Sequence, residues 1–187
     1  MKTKVVIGVC GSVAAIEIPR LIRRLRRKGI EVECVMSEAA RKIIHPNVLE
    51  WASGNRTITE ITGKVEHVRL CGVDGEANLL LICPATSNTI SKIAHGIDDT
   101  AVTTFASTAM GSGMKIILTP AMHFSMYRNP FIAESIERLK KNGILIIEPR
   151  IEENKAKLPD IDEILKKVLE ELKQNEKINP KSRQIPG

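Results

Sequence analysis

Strand-length apolar runs alternate with amphipathic helical patterns along almost the entire chain, and no other feature narrows the possible folds as much. The apolar runs cover residues 5–10, 32–36, 79–83, 116–119 and 144–147. Helical periodicity follows each of them: up to residue 28, from 37, from about 87, from about 129 and from 160. Runs this continuous predict strands buried on both faces, which require a parallel sheet with helices above and below. Right-handed crossovers then gather the carboxyl ends of the strands along one edge, where such sheets open a ligand crevice. The expected architecture is a three-layer, Rossmann-like α/β domain over residues 1–174. A polar tail, with Pro180 and Pro186, is expected over 175–187. Residues 65–70 form a further candidate strand. Pro19 falls inside the first helical pattern and predicts a kink there or a true helix start near Glu17.

Size, cysteines and charge exclude several classes of function. A chain of 187 residues suits one domain. Cys10, Cys34, Cys71 and Cys83 form no CxxC pair and no Cys/His cluster at zinc spacing. Neither a disulfide framework nor a metal site is expected, and a reducing cytoplasm is the expected location. The first apolar run is too short for a membrane span and lacks a signal-peptide cleavage pattern. The net charge of +6 is uneven, with +7 in the first 28 residues and −1 in the rest. Arg20, Arg23, Arg24 and Arg27 recur at helical spacing opposite Ile18, Leu21, Ile22 and Leu25, which reads as a solvated helix face. With aromatics at 3%, there is little for bases to stack on, and nucleic-acid binding is not expected.

Polar chemistry concentrates in the turns after the strands. Gly11-Ser12-Val13-Ala14-Ala15 follows the first strand and opens the first helix, bringing backbone N–H groups, a helix dipole and a hydroxyl to one point. That suits a phosphate, or simply a helix cap; the spacing is not the three-glycine dinucleotide fingerprint, so a mononucleotide fits better. Ser37-Glu38-Ala39 places another hydroxyl at a helix start after the second strand. Pro84-Ala85-Thr86-Ser87-Asn88-Thr89 follows the third, with Ser87 also a candidate N-cap, and Pro120-Ala121-Met122-His123-Phe124-Ser125-Met126-Tyr127 follows the fourth.

These last two segments resemble the PASANT and PXMNXXMW segments of the flavin-dependent cysteine decarboxylase (HFCD) family, and the likeness extends over about residues 4–172. Glu60-Ile61-Thr62-Gly63 and Lys155-Ala156-Lys157 look like archaeal members. The resemblance implies a flavoprotein fold and bound FMN held by Gly11, Ser12, Val13, Ser37, Glu38, Ala39, Thr86, Ser87, Asn88, Thr89 and Ala121. It implies decarboxylation of 4'-phosphopantothenoylcysteine to 4'-phosphopantetheine in coenzyme A synthesis. It further implies a homotrimer or a multiple of one, with a phosphopantothenate–cysteine ligase as a possible separate partner. The alternatives on this scaffold are a peptidyl-cysteine decarboxylase, a flavin reductase, or a non-catalytic flavin-binding regulatory subunit.

The same resemblance implies catalytic roles. His67, in a segment like the family's His-x-x-Leu, would face flavin and substrate; Asn88 would hydrogen-bond the reacting cysteine end. A cysteine carboxylate has no electron sink until its Cβ–S bond is oxidised to a thioaldehyde, which is why this decarboxylation uses a flavin. His123 stands where the family usually has Asn and Tyr127 where it has Trp; His123 and Met126 would bind substrate. Residues 149–158 contain no cysteine, although bacterial and eukaryotic relatives carry one in a mobile flap as proton donor. Lys155 or Lys157 would then donate the proton or grip the phosphate, Lys155 being the first candidate for the acid and Lys157 for the phosphate, unless the reduction is absent or the stretch is a solvated charged loop.

Overall fold

A computed structural model describes residues 3–178. The chain runs through β1 (Lys4–Val9), a 3-10 turn (Val13–Glu17), α1 (Ile18–Arg27), β2 (Glu31–Met36), α2 (Glu38–Arg41), α3 (Pro46–Ser53), α4 (Glu66–Cys71), β3 (Leu79–Ala85) and α5 (Ser87–Ala94). It continues through α6 (Ala101–Gly111), β4 (Ile116–Pro120), β5 (Met122–His123), α7 (Phe124–Tyr127), α8 (Pro130–Lys141), β6 (Leu145–Ile146), β7 (Arg150–Glu152), β8 (Lys155–Lys157) and α9 (Ile161–Ile178). Five strands form a parallel sheet in the order β2-β1-β3-β4-β6. The chain leaves β1 in one direction to make β2 and returns to its other side to make β3. The crevice between β1 and β3 is therefore the switch point at which doubly wound sheets bind ligands.

The strand alternation of period two divides the core. Val5, Ile7, Leu79 and Leu81 join α1, α3 and α9 in one cluster, while Val6, Leu80 and Ile82 join α4, α5, α6 and α8 in another. All seven residues of β3 are buried. Truncating a fully buried central side chain such as Leu81 to Ala would cost about 2–5 kcal/mol. Helix α1 buries Ile18, Leu21, Ile22 and Leu25 and turns its arginines outward, and it starts at Glu17 with Pro19 in its first turn, as the sequence requires.

Three expectations change. Residues 65–70 are helical, not a strand, because Glu66 accepts hydrogen bonds from the Thr62 N–H and hydroxyl and closes a tight turn, with Val65 left-handed at φ 45°. Six residues are too few to separate a period of two from one of 3.6. Residues 149–158 are not an irregular loop: β7 and β8 pair as a hairpin turned at Glu153 and Asn154, both with positive φ, and β8 also pairs with β5. Finally, α9 continues past Leu172 to Ile178, into the stretch read as polar tail; residues 179–187 lie outside the described part. No helix among the described residues is long and apolar enough to cross a membrane.

Candidate active site

The turns after β1 and β2 interlock. A Cβ on Gly11 would lie 2.5 Å from the Ala39 Cβ, so only glycine lets the first turn approach α2. The Ser37 N–H bonds the Val9 carbonyl at 3.0 Å, and its buried hydroxyl accepts from the Ala40 N–H at 3.2 Å. Glu38, by contrast, is exposed. Ser12 precedes the 3-10 turn with extended backbone, but its side chain makes no capping bond, leaving a hydroxyl unspent beside the turn's first N–H groups. Val13 is 72% exposed, an apolar side chain held out over that turn.

Across the switch point, Thr86 caps α5, not Ser87: its hydroxyl accepts from the Thr89 N–H at 3.4 Å and reaches the Thr89 hydroxyl at 3.2 Å. Thr86, one residue earlier, has the extended backbone an N-cap needs, and Ser87 is already helical and buried. Asn88 is exposed in the same first turn. The Ala121 N–H bonds the Ala85 carbonyl at 3.0 Å, tying the end of β4 to the end of β3. Beneath these turns burial pushes the Cys10 thiol up to about 11, despite a hydrogen bond with Thr89, and Cys34, Cys71 and Cys83 up to about 12. All four are buried in the core, so none is presented on the hairpin as a flap cysteine would be.

His67 sits on α4 with its ring edge-on to Phe105 of α6, centroids 6.4 Å apart at 66°. Its Nδ1 is closed off from solvent without a hydrogen-bond partner. A buried polar atom left unpaired costs stability. Phe105, which packs against the ring, is a neighbour that sequence reasoning missed; nothing but its being the one aromatic residue of α6 could have signalled it.

The structure splits the residues of the hairpin side into two groups. His123 caps α7, its Nδ1 accepting from the Ser125 N–H at 3.3 Å, so a neutral ring carries its proton on Nε2. Its register partner across the β5–β8 pair is Lys155. Lys157 lies on the same face of β8 but shares a cavity with Val13, Arg20 and Arg150. It is paired with Glu153 at 2.8 Å and Glu152 at 3.3 Å, and these carboxylates raise its pKa, Glu153 first. Lys155 takes no part in the hairpin's ion pairs. Met126 is exposed beside Tyr127. The Tyr127 hydroxyl donates to Glu148, whose carboxylate also binds Lys140 at 2.9 Å. Burial and then Glu148 push the Tyr127 pKa up, so its ring stays a neutral donor.

The Flavoprotein family model matches residues 1–173. The coenzyme A biosynthesis bifunctional protein CoaBC of Thermococcus kodakarensis is 52% identical over 180 residues, 96% of this chain and 43% of that protein. The chain thus spans less than half the length of that relative. A probable phosphopantothenoylcysteine decarboxylase of Streptococcus mutans is 31% identical over 183 residues, 92% of this chain and all of that protein. The solved structure of the peptidyl-cysteine decarboxylase EpiD superposes with a TM-score of 0.77 at 30% identity, covering 90% of this chain and 99% of that one. The turns gathered at the β1/β3 crevice and these likenesses have one explanation: the chain belongs to the Flavoprotein family.

Proposed function

We propose that the protein is an FMN-dependent decarboxylase that converts 4'-phosphopantothenoylcysteine to 4'-phosphopantetheine and CO2 in the cytoplasm. The observation that carries this reading is the Gly11–Ala39 approach, which draws the turns after β1 and β2 together at the mouth of the crevice. The unspent Ser12 hydroxyl lies beside it, at the crevice where such sheets bind mononucleotides. The orphaned His67 Nδ1 fits the same group, since a bound flavin or substrate would give it a partner. Gly11, Ser12, Val13, Ser37 and Ala39 would hold the phosphate and ribityl portions, and Thr86, Ser87, Asn88, Thr89 and Ala121 the ring. Glu38 would contribute through its backbone, its side chain being exposed. When bound, FMN supplies the two-electron redox capacity that turns the substrate's Cβ–S carbon into an electron sink.

The chain's own residues move protons and hold the substrate. His67 accepts the thiol proton, a transfer that stabilisation of the thiolate must assist. Asn88 orients the cysteine end. The His123 Nε2–H donates to the carboxylate that leaves as CO2, and Met126 closes over the apolar part of the substrate. Lys155, opposite His123 and free of the hairpin's ion pairs, is the group placed to return a proton at carbon. Lys157 holds its proton tightly between two carboxylates, which suits a phosphate ligand and not an acid. The working assembly is a homotrimer or a multiple of one, and the ligase that makes the substrate is the expected partner.

The deciding experiment is to incubate purified protein with 4'-phosphopantothenoylcysteine and weigh the product. Yellow protein yielding 4'-phosphopantetheine is expected. Product two hydrogens short would assign it to the oxidative peptidyl-cysteine type of chemistry, yellow protein without turnover to a flavin-binding regulatory subunit, and protein that FMN does not bind would overturn the reading.

A further inference from the structure

The outer face of α1 and the end of α3 enclose a concavity of about 690 Å³ lined by Pro19, Arg20, Arg23, Arg27 and Trp51, among others. Its lining meets that of the hollow beside Lys157 at Ile16, Arg20 and Asp162, whereas Arg23, Arg27 and Trp51 lie outside that hollow. A second hollow of about 390 Å³ shares Arg23, Arg27 and Trp51 with it. Specific contacts organise this face. Arg26 donates to the Ala52 carbonyl at 3.4 Å, which joins the two helices, and Arg24 pairs with Asp162. The Arg23 guanidinium lies 4.8 Å from the centre of the Trp51 ring. Trp51 is nonetheless 65% exposed, so much of its indole is open to a further partner. Arg20, Arg23 and Arg27, one helical stripe, take part in no ion pair among the described residues.

We propose that this cleft binds a nucleoside polyphosphate, with its base stacked on Trp51 and its phosphates held by Arg20 and Arg27. Guanidinium forks match phosphate oxygens two at a time, and an indole already polarised by a cation on one side is a good stacking platform. The volume is that of a small-molecule site. Trp51 is the only tryptophan in the chain, so the cleft offers one base a platform and the next base none. That favours a mononucleotide over a nucleic-acid strand.

The test is calorimetric titration of the FMN-saturated protein with ATP, inorganic tripolyphosphate and an adenylate oligonucleotide at fixed ionic strength. Fluorescence of the single tryptophan locates the site. ATP should quench Trp51 and bind about tenfold or more tighter than tripolyphosphate, the increment expected of one stacked base. Trp51→Leu should erase that difference, and Arg27→Ala, which lies outside the hollow beside Lys157, should weaken both ligands about tenfold while FMN content stays unchanged. Equal affinity for ATP and tripolyphosphate in the unaltered protein, or ATP binding unchanged by Arg27→Ala, would overturn the proposal. So would tighter binding of the oligonucleotide than of ATP, which would mark a nucleic-acid surface.

Discussion

The crevice between β1 and β3 is built from backbone and small side chains, whereas the β5–β8–β7 side is built from exposed charges. At the crevice Gly11, Ala39, Ser37 and Thr86 are positioned by hydrogen bonds to the chain itself and by close approach, with the sheet's core directly beneath. In the hairpin, Ala156 is the one residue of β7 and β8 that is fully buried, and its charges neutralise one another across solvent. A cradle of the first kind is preorganised and changes shape only at the expense of core packing. A surface of the second kind can trade one ion pair for another with little cost, which suits a substrate that must enter and leave.

This contrast can be broken by substitution. His67→Asn keeps a compact polar group but cannot take the thiol proton; the rate of CO2 release should fall by ~10²- to 10⁴-fold with FMN content unchanged. Retention of more than about a tenth of the rate would remove His67 as the base. On the hairpin side, Lys155→Met should slow the return of hydrogen about 10²-fold and let a product two hydrogens short accumulate in the mass spectrum. Lys157→Met should instead raise KM with normal product. If the two variants behave alike, the division of the hairpin face into acid and phosphate ligand is wrong.

Gly11→Ala should weaken FMN binding by roughly 5- to 150-fold, the equivalent of about 1–3 kcal/mol of overpacking. Adding Ala39→Gly should restore part of it, because the clashing Cβ is then gone. No rescue would mean that the first turn is fixed by something other than that approach.

The smallest effect is electrostatic. Lys4, then Arg69, hold the Glu76 carboxyl below the usual carboxylate range and tie the start of β1 to α4. Because the folded value is depressed, this contribution is complete above the unfolded value of ~4.3 and is lost as pH falls through the folded one. Glu76→Gln should therefore lower Tm at about pH 7, by the equivalent of at most about 1 kcal/mol, and leave it unchanged in strong acid. Glu153→Gln, in the hairpin, should leave Tm unmoved at either pH.

The sheet was legible because strands buried on both faces leave long apolar runs, and the turns because glycine and hydroxyl residues follow those runs directly. The α4 segment was misread for a physical reason: Val65, a β-branched residue, is forced left-handed by the Glu66–Thr62 closure, and local propensity does not carry that information. The hairpin was hidden because its turn uses Glu153-Asn154, without the glycine that normally announces a two-residue reversal. The pairing of His123 with Lys155, like that of Arg23 with Trp51, joins residues far apart in the chain; each residue stood out alone, and only the fold made them neighbours.

A single residue, Ala121, separates β4 from β5, so the central sheet passes straight into the small antiparallel one. The Phe124 N–H then bonds the Asn154 carbonyl at 3.0 Å, which anchors the root of α7 to the tip of the hairpin. Hairpin, His123 and α7 thus form one lever whose fulcrum is set in the core. Because His123 and Lys155 are register partners within this unit, a displacement of one carries the other, and the two cannot be repositioned independently.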